Sequence, residues 1–190
     1  MKTHLLPAIK ITLITMVLFG VVYPFVINGI AIVVAPNGGN GEEVIVDGRV
    51  VGFELIGQKF DQDRYFNGRP SAVDYNAAST GGSNKGPSNP EYLETVKARI
   101  DTFLLHNPTT AKREIPVDLV TASGGGLDPH ISPQAALIQV ERIAKVRHMD
   151  KDLVSKLVAE HIEQPILGLG TARVHVLRLN IALDQLQSSK

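Results

Sequence analysis

Ser123, Asp128 and His130 have the side-chain types of an acyl-transfer triad, and the glycines Gly124–Gly126 are the kind a phosphate-cradling loop uses. A hydroxyl nucleophile needs a histidine base oriented by a buried carboxylate, and the three normally converge from separate elements. Here they share one short loop, and Thr121 stands where the first glycine of a G-x-S-x-G nucleophile elbow would be. The phosphate-loop pattern G-x-x-x-x-G-K-[ST] is missing too, because no Lys-Ser or Lys-Thr follows the glycines. A more general chemistry remains. Free backbone N–H groups in a Gly-rich turn that leads into a helix N-terminus attract anions. The candidate nucleotide-binding residues are therefore Ser123, Gly124, Gly125 and Gly126, with Gln139 in the helix that follows.

Other reactive groups are sparse. The chain has no cysteine, and its six histidines form no H-x-x-x-H or H-x-H pair. Asp128 with His130 is too little for a metal site; Asp128 is read instead as an Asx-type turn ahead of Pro129, and Ser132 as a helix cap. Gly81–Gly86 (GGSNKG) could form an anion nest with Lys85 as counter-charge. Catalysis by this chain alone is not expected.

The elements that would position the loop are a strand over Ile115–Val120 and a helix with Ser132 as N-cap, Pro133 at its first position and Gln134–Val146 as its body. Upstream, Val44–Ile56 reads as a hairpin turning at Asp47-Gly48. Phe60–Asn76 reads as an ordered surface loop held by its aromatics, and Ala77–Pro90 as loop throughout. A helix runs from Glu91 to about His106, with Leu93, Val96, Ile100, Phe103 and Leu104 as its buried stripe. Asp150 starts another, with Leu153, Leu157, Val158 and Ile162 on one face. Gly168–Gly170 leads to a strand over Arg173–Leu179 and a closing helix over Asn180–Leu186.

The N-terminus decides where all this sits. Ile11–Ala35 is an uncharged run of about 25 residues, and a span needs roughly 20. A cleaved signal would have an apolar stretch of only about 7–15 residues, and Pro36 would obstruct cleavage after Ala35. Lys2 and Lys10 precede the run, whereas Glu42, Glu43 and Asp47 follow it, so the short N-terminus stays cytoplasmic. The expected organisation is a cytoplasmic segment 1–10, a transmembrane helix 11–35, a linker 36–43 and a periplasmic domain 44–190. The expected fold class is mixed α+β, anchored by one N-terminal transmembrane helix. Gly20, Pro24, Asn28, Ala31 and Ala35 recur every three or four residues, marking one helical face for a partner helix. Nineteen basic and nineteen acidic side chains cancel, which argues against a nucleic-acid partner.

Several long segments together resemble one family. YFNGRPSA (Tyr65–Ala72), Tyr75–Pro90 with its SxGGSNxGPSNP pattern, PVDLVTASGGGLDPHIS (Pro116–Ser132) and VLRLNIALDQL (Val176–Leu186) are similar to KdpC, the C subunit of the bacterial potassium-transporting Kdp ATPase. The resemblance covers nearly the whole chain in order, including the single N-terminal span ending in VYP (Val22–Pro24). Gly125 stands where Ser or Ala is frequent in the family, and His175 where Asn is common. The resemblance implies a non-catalytic accessory subunit in the inner membrane, among lipid, beside the potassium-translocating subunit KdpA, the P-type ATPase subunit KdpB and the small peptide KdpF. It also implies a catalytic chaperone that raises the ATPase subunit's affinity for ATP, with no firmly bound cofactor and ATP reached through the complex. The alternative is a membrane-anchored nucleotide-binding protein that uses residues 123–126.

Overall fold

The computed structural model describes residues 2–165 and 168–188. They form a mixed α+β protein of two compact units, Met1–Phe53 and Glu54–Lys190.

The N-terminal unit is dominated by one apolar helix. Helix α1 (Lys2–Val17) continues through a π-helical turn (Leu18–Val22) into α2 (Tyr23–Val34). The π turn has a local cause. Pro24 has no N–H to donate to the Gly20 carbonyl, and the Tyr23 N–H reaches back to Leu18 O instead. From His4 to Val34 the 31 residues are long and apolar enough to cross a bilayer. Helix formation thus begins upstream of the uncharged run at Ile11. A turn at Pro36–Gly39 leads into the hairpin β1 (Glu43–Val46) and β2 (Arg49–Phe53), antiparallel around Asp47-Gly48 as the sequence predicts. Both turn residues have positive φ, the signature that favours an Asp-Gly pair.

In the C-terminal unit, helices pack around a small sheet of β3 (His130–Ile131), β5 (Arg173–His175) and β4 (Ile162–Glu163), in that order and antiparallel. The other elements are α3 (Pro90–His106), α4 (Pro133–Leu137), α5 (Val140–Arg147), α6 (Lys151–Glu160) and α7 (Val176–Ser188). Ile131, Val140, Ile143, Val154, Val158, Val174, Leu179 and Leu183 form the core, joined by Phe66 from the long loop.

Five local expectations are corrected. Ile115–Val120 is not a strand: Val117–Leu119 forms a 3₁₀ turn, with Leu119 N–H donating to Pro116 O and Thr121 N–H to Val117 O. The helix after Ser132 is broken at Gln139 into α4 and α5, although Ser132 does cap it through Ala135 N–H at 3.1 Å. The strand at Arg173 ends at His175, and Val176 already belongs to α7. On α3, Leu93 is exposed and Val96, Ile100, Phe103 and Leu104 are only half-buried, with Phe103 both against the core and on the wall of an open groove. Along α6, Leu157 and Val158 are buried as expected, but Val154 joins them and Leu153 is only half-buried.

Candidate functional site

The Gly-rich turn is held by two loops, not set between a strand and a helix. Ser123 is buried, and its N–H donates to Pro70 O at 3.2 Å. The Gly125 carbonyl accepts from Gly81 N–H at 3.1 Å. Gly126 has φ +75°, and a Cβ there would stand 2.6 Å from Val73 Cγ2. Glycine at 126 is therefore required by both backbone conformation and space. Gly124 and Gly125 are exposed, with open space on the side a Cβ would occupy. The turn uses a carbonyl for its loop contact, and Leu127–Ser132 separate it from the start of α4. The strand–turn–helix cradle expected around it is not the geometry observed.

Asp128 makes the expected Asx turn, accepting the His130 N–H at 3.0 Å, and it pairs with Arg69 Nη1 at 3.1 Å. Burial pushes the Asp128 carboxyl up, but hydrogen bonds from His130 and Arg69 outweigh it and hold the group at about 2. Asp128 is thus a fixed anion tying the Gly-rich segment to the 65–72 loop. Tyr75 reinforces the tie by donating its hydroxyl to Arg69 O. Burial, with Asp128 nearby, pushes this phenol up to about 12 and keeps it a donor. Beside the turn, a cleft of about 510 Å³ is lined by Arg69, Asp118, Asp128, His130, Ser132 and Arg173 among others. Asp118 accepts both Ser132 N–H (2.7 Å) and Ser132 Oγ–H (3.2 Å). The cleft's polar groups are largely committed to one another. Lys85, the counter-charge of the expected anion nest, pairs with Glu91 at 2.6 Å.

Gln139 is placed elsewhere, in a polar network that the sequence does not reveal. Its side chain is fully buried, accepting from Asn67 N–H (2.8 Å) and Arg142 Nη2 (2.7 Å) and donating to Ala135 O (2.9 Å). Arg142 also donates to Asn107 Oδ1, Asn67 Oδ1, Tyr65 O and Asp63 O. Burial lowers the Arg142 guanidinium to about 10, which leaves it charged. Asn180 brackets Phe66, accepting its N–H and donating to its C=O. Arg147 donates to Arg64 O at 2.7 Å and lies 4.9 Å from the Tyr65 ring. The long loop is therefore held by buried amides and guanidinia from α5 and α7 as well as by its aromatics. Spacing of polar residues along amphipathic helices gave no sign that these side chains point inward.

The N-terminal stripe lies on the long helix, where every side chain from His4 to Ile30 is exposed. Gly20 falls inside the π turn and Pro24 just after it. Ala31, in the last turn, and Ala35, just past the helix end at Val34, are half-buried, and Gly39 folds back beside Ala31.

Comparison with known proteins covers almost all of this architecture. The family model described as K+-transporting ATPase, c chain (KdpC) matches residues 5–185. A potassium-transporting ATPase KdpC subunit from Flavobacterium johnsoniae is 58% identical over 184 residues, covering 97% of this chain and 99% of the relative. The corresponding subunit from Bacteroides fragilis is 51% identical over 191 residues, covering 99% and 100%. That of Polaromonas naphthalenivorans is 49% identical over 191 residues, covering 98% and 97%.

Proposed function

The chain belongs to the KdpC family, and on that premise we propose that it is the non-catalytic accessory subunit of a high-affinity, ATP-driven potassium import system. The observation that carries this reading is the long helix, whose side chains from His4 to Ile30 are all exposed among the described residues. An apolar helix of that length is stable only in lipid or against other apolar helices. The helix anchors the subunit in the inner membrane as a single pass, with the N-terminus cytoplasmic and the C-terminal unit outside.

Gly20, Pro24, Asn28, Ala31 and Ala35 form the face that meets helices of the potassium-translocating subunit, because small residues permit close approach and an amide in lipid seeks an interhelical partner. The ATPase subunit and the small single-span peptide complete the assembly. The subunit raises the ATPase subunit's affinity for ATP through that assembly, without holding nucleotide on Ser123–Gly126. The Gly125 carbonyl is engaged by Gly81, and Gly126 is packed against Val73.

Mild-detergent purification of the tagged full-length chain tests this directly. The parent is expected to bring down multispan partners, and Gly20→Leu or Asn28→Leu to lose them while the chain still inserts. Retention of all partners by both variants would remove the stripe from the interface. Absence of multispan partners from the parent would overturn the accessory-subunit reading itself.

A further inference from the structure

The β1–β2 hairpin leaves one face uncovered. Residues paired across an antiparallel ladder share a face. Ile45 opposes Val50, and Glu43 opposes Phe53, with a bulge after Val44. Ile45 is 59% exposed, Val50 51% and Phe53 38%, whereas Val44 and Val46 on the opposite face are half-buried and Gly52 is buried. A two-stranded ribbon is marginally stable in water and gains from having its apolar face covered.

The connection to the helix says what covers it. Pro36–Gly39 does not lead straight away from α2 but folds back along it. A methyl group on Gly39 would lie 3.1 Å from the Ala31 methyl, and Ala31 precedes the helix end at Val34. The chain at Gly39 is thus level with the last turn of the apolar helix, not beyond it. Two residues on, a reach of at most about 7 Å, Gly41 meets the Phe53 ring; a methyl there would stand 3.5 Å from Phe53 Cδ1. The base of the hairpin therefore starts where the apolar helix emerges, at the depth at which a bilayer changes from hydrocarbon to headgroup. Glu42, Glu43 and Asp47 outnumber Arg49 here, so attraction to anionic lipid is not the driving force. Burial of apolar side chains is.

We propose that the hairpin face formed by Ile45, Val50 and Phe53, with the exposed Glu43 carboxylate on the same face reaching the headgroups, lies in the interfacial zone of the lipid bilayer crossed by the N-terminal helix. The hairpin then works as an outrigger. It fixes the depth and rotation of the span, so that the face carrying Gly20 and Asn28 keeps one direction. This rests on the proposed membrane span.

The chain has no tryptophan, so one introduced indole reports alone. Full-length Phe53→Trp and Ile45→Trp would be reconstituted in phosphatidylcholine vesicles carrying bromine at shallow or deep acyl positions. Phe19→Trp, in the middle of the helix, serves as the control for the span. The expected result is quenching of Trp at 53 and at 45 by shallow bromines, little quenching by aqueous iodide, and quenching at 19 by deep bromines. Iodide quenching at 53 and 45 without bromine quenching places the hairpin in water and overturns the proposal. Quenching by neither agent places it against protein and overturns it equally. In both cases a deeply quenched Trp at 19 leaves the span intact, whereas a Trp at 19 quenched by iodide would mean that the span itself had failed.

Discussion

Gly126 carries a constraint that its two neighbours do not. Its φ of +75° lies in the left-handed region, and a side chain there would press on Val73, Ser71 Oγ and the Gly81 carbonyl. Gly125 has ordinary φ and open space. Left-handed strain in a non-glycine residue costs about 1–3 kcal/mol, and overpacking adds a similar amount. Gly126→Val is therefore expected to destabilise the C-terminal unit by about 2–6 kcal/mol. Gly125→Ala should be neutral or stabilise by up to about 1 kcal/mol, since it mainly restricts the unfolded chain. Urea unfolding of the full-length variants in detergent, followed by circular dichroism, checks both. A Gly125→Ala protein as unstable as Gly126→Val would show that the turn is tighter than its geometry indicates. The contrast also separates structure from ligand, because an anion-binding turn would need the exposed N–H groups at 124 and 125 rather than the packed one at 126.

At the scale of elements, His175 explains why a run that alternates like a strand becomes a helix. Its Nε2 contacts Glu54 O at 2.6 Å, while its Nδ1 lies 3.3 Å from Arg178 N–H. The tautomer with the proton on Nε2 satisfies both, so His175 ends β5 and caps α7 with one ring. Loss of a cap costs about 0.5–2 kcal/mol, and asparagine is among the best N-caps. His175→Ala should destabilise the chain by about 1–3 kcal/mol through cap and buried hydrogen bond together. His175→Asn should recover about 1 kcal/mol of that, again read by urea unfolding. An asparagine variant no better than alanine would deny the cap. Histidine is not a favoured cap type, which is why the start of α7 at Val176 was not legible in the sequence. Elements with strong local chemistry were: Asp47-Gly48 turns the hairpin, Ser132 caps α4, and Asp150 caps α6. The 3₁₀ turn at Val117–Leu119 was not, because Asp118 is drawn to Ser132, 14 residues away. Nor was the break at Gln139, where a buried amide serves the 65–67 loop as much as its own helix. Of the candidate site, the glycines were visible as a loop, but the partners that give them their shape, Val73 and Gly81, come from stretches without regular structure.

For the whole molecule, the side of the membrane on which the C-terminal unit lies decides whether cytoplasmic ATP can reach it. In the proposed topology the N-terminus is inside, with Lys2 and Lys10 on one flank of the apolar helix and Glu42, Glu43 and Asp47 on the other. Cytoplasmic ATP would then be a membrane's thickness away from Gly124–Gly126, and any effect on its binding must be a coupling between subunits. Such coupling needs a ligand or subunit with different affinities for two states of the assembly. A single cysteine at Ser83, exposed in the 77–90 loop of a chain with no native cysteine, reports the side directly. A membrane-impermeant maleimide should label Ser83→Cys in intact cells whose outer membrane has been permeabilised, and lysis should add no further signal. Labelling only after the inner membrane is broken would reverse the topology and bring the Gly-rich turn into contact with the nucleotide pool. With the expected result, the proposed effect on ATP affinity has to pass through the assembly, and it predicts that variants at Gly20 or Asn28 change ATP affinity without touching a nucleotide-binding residue.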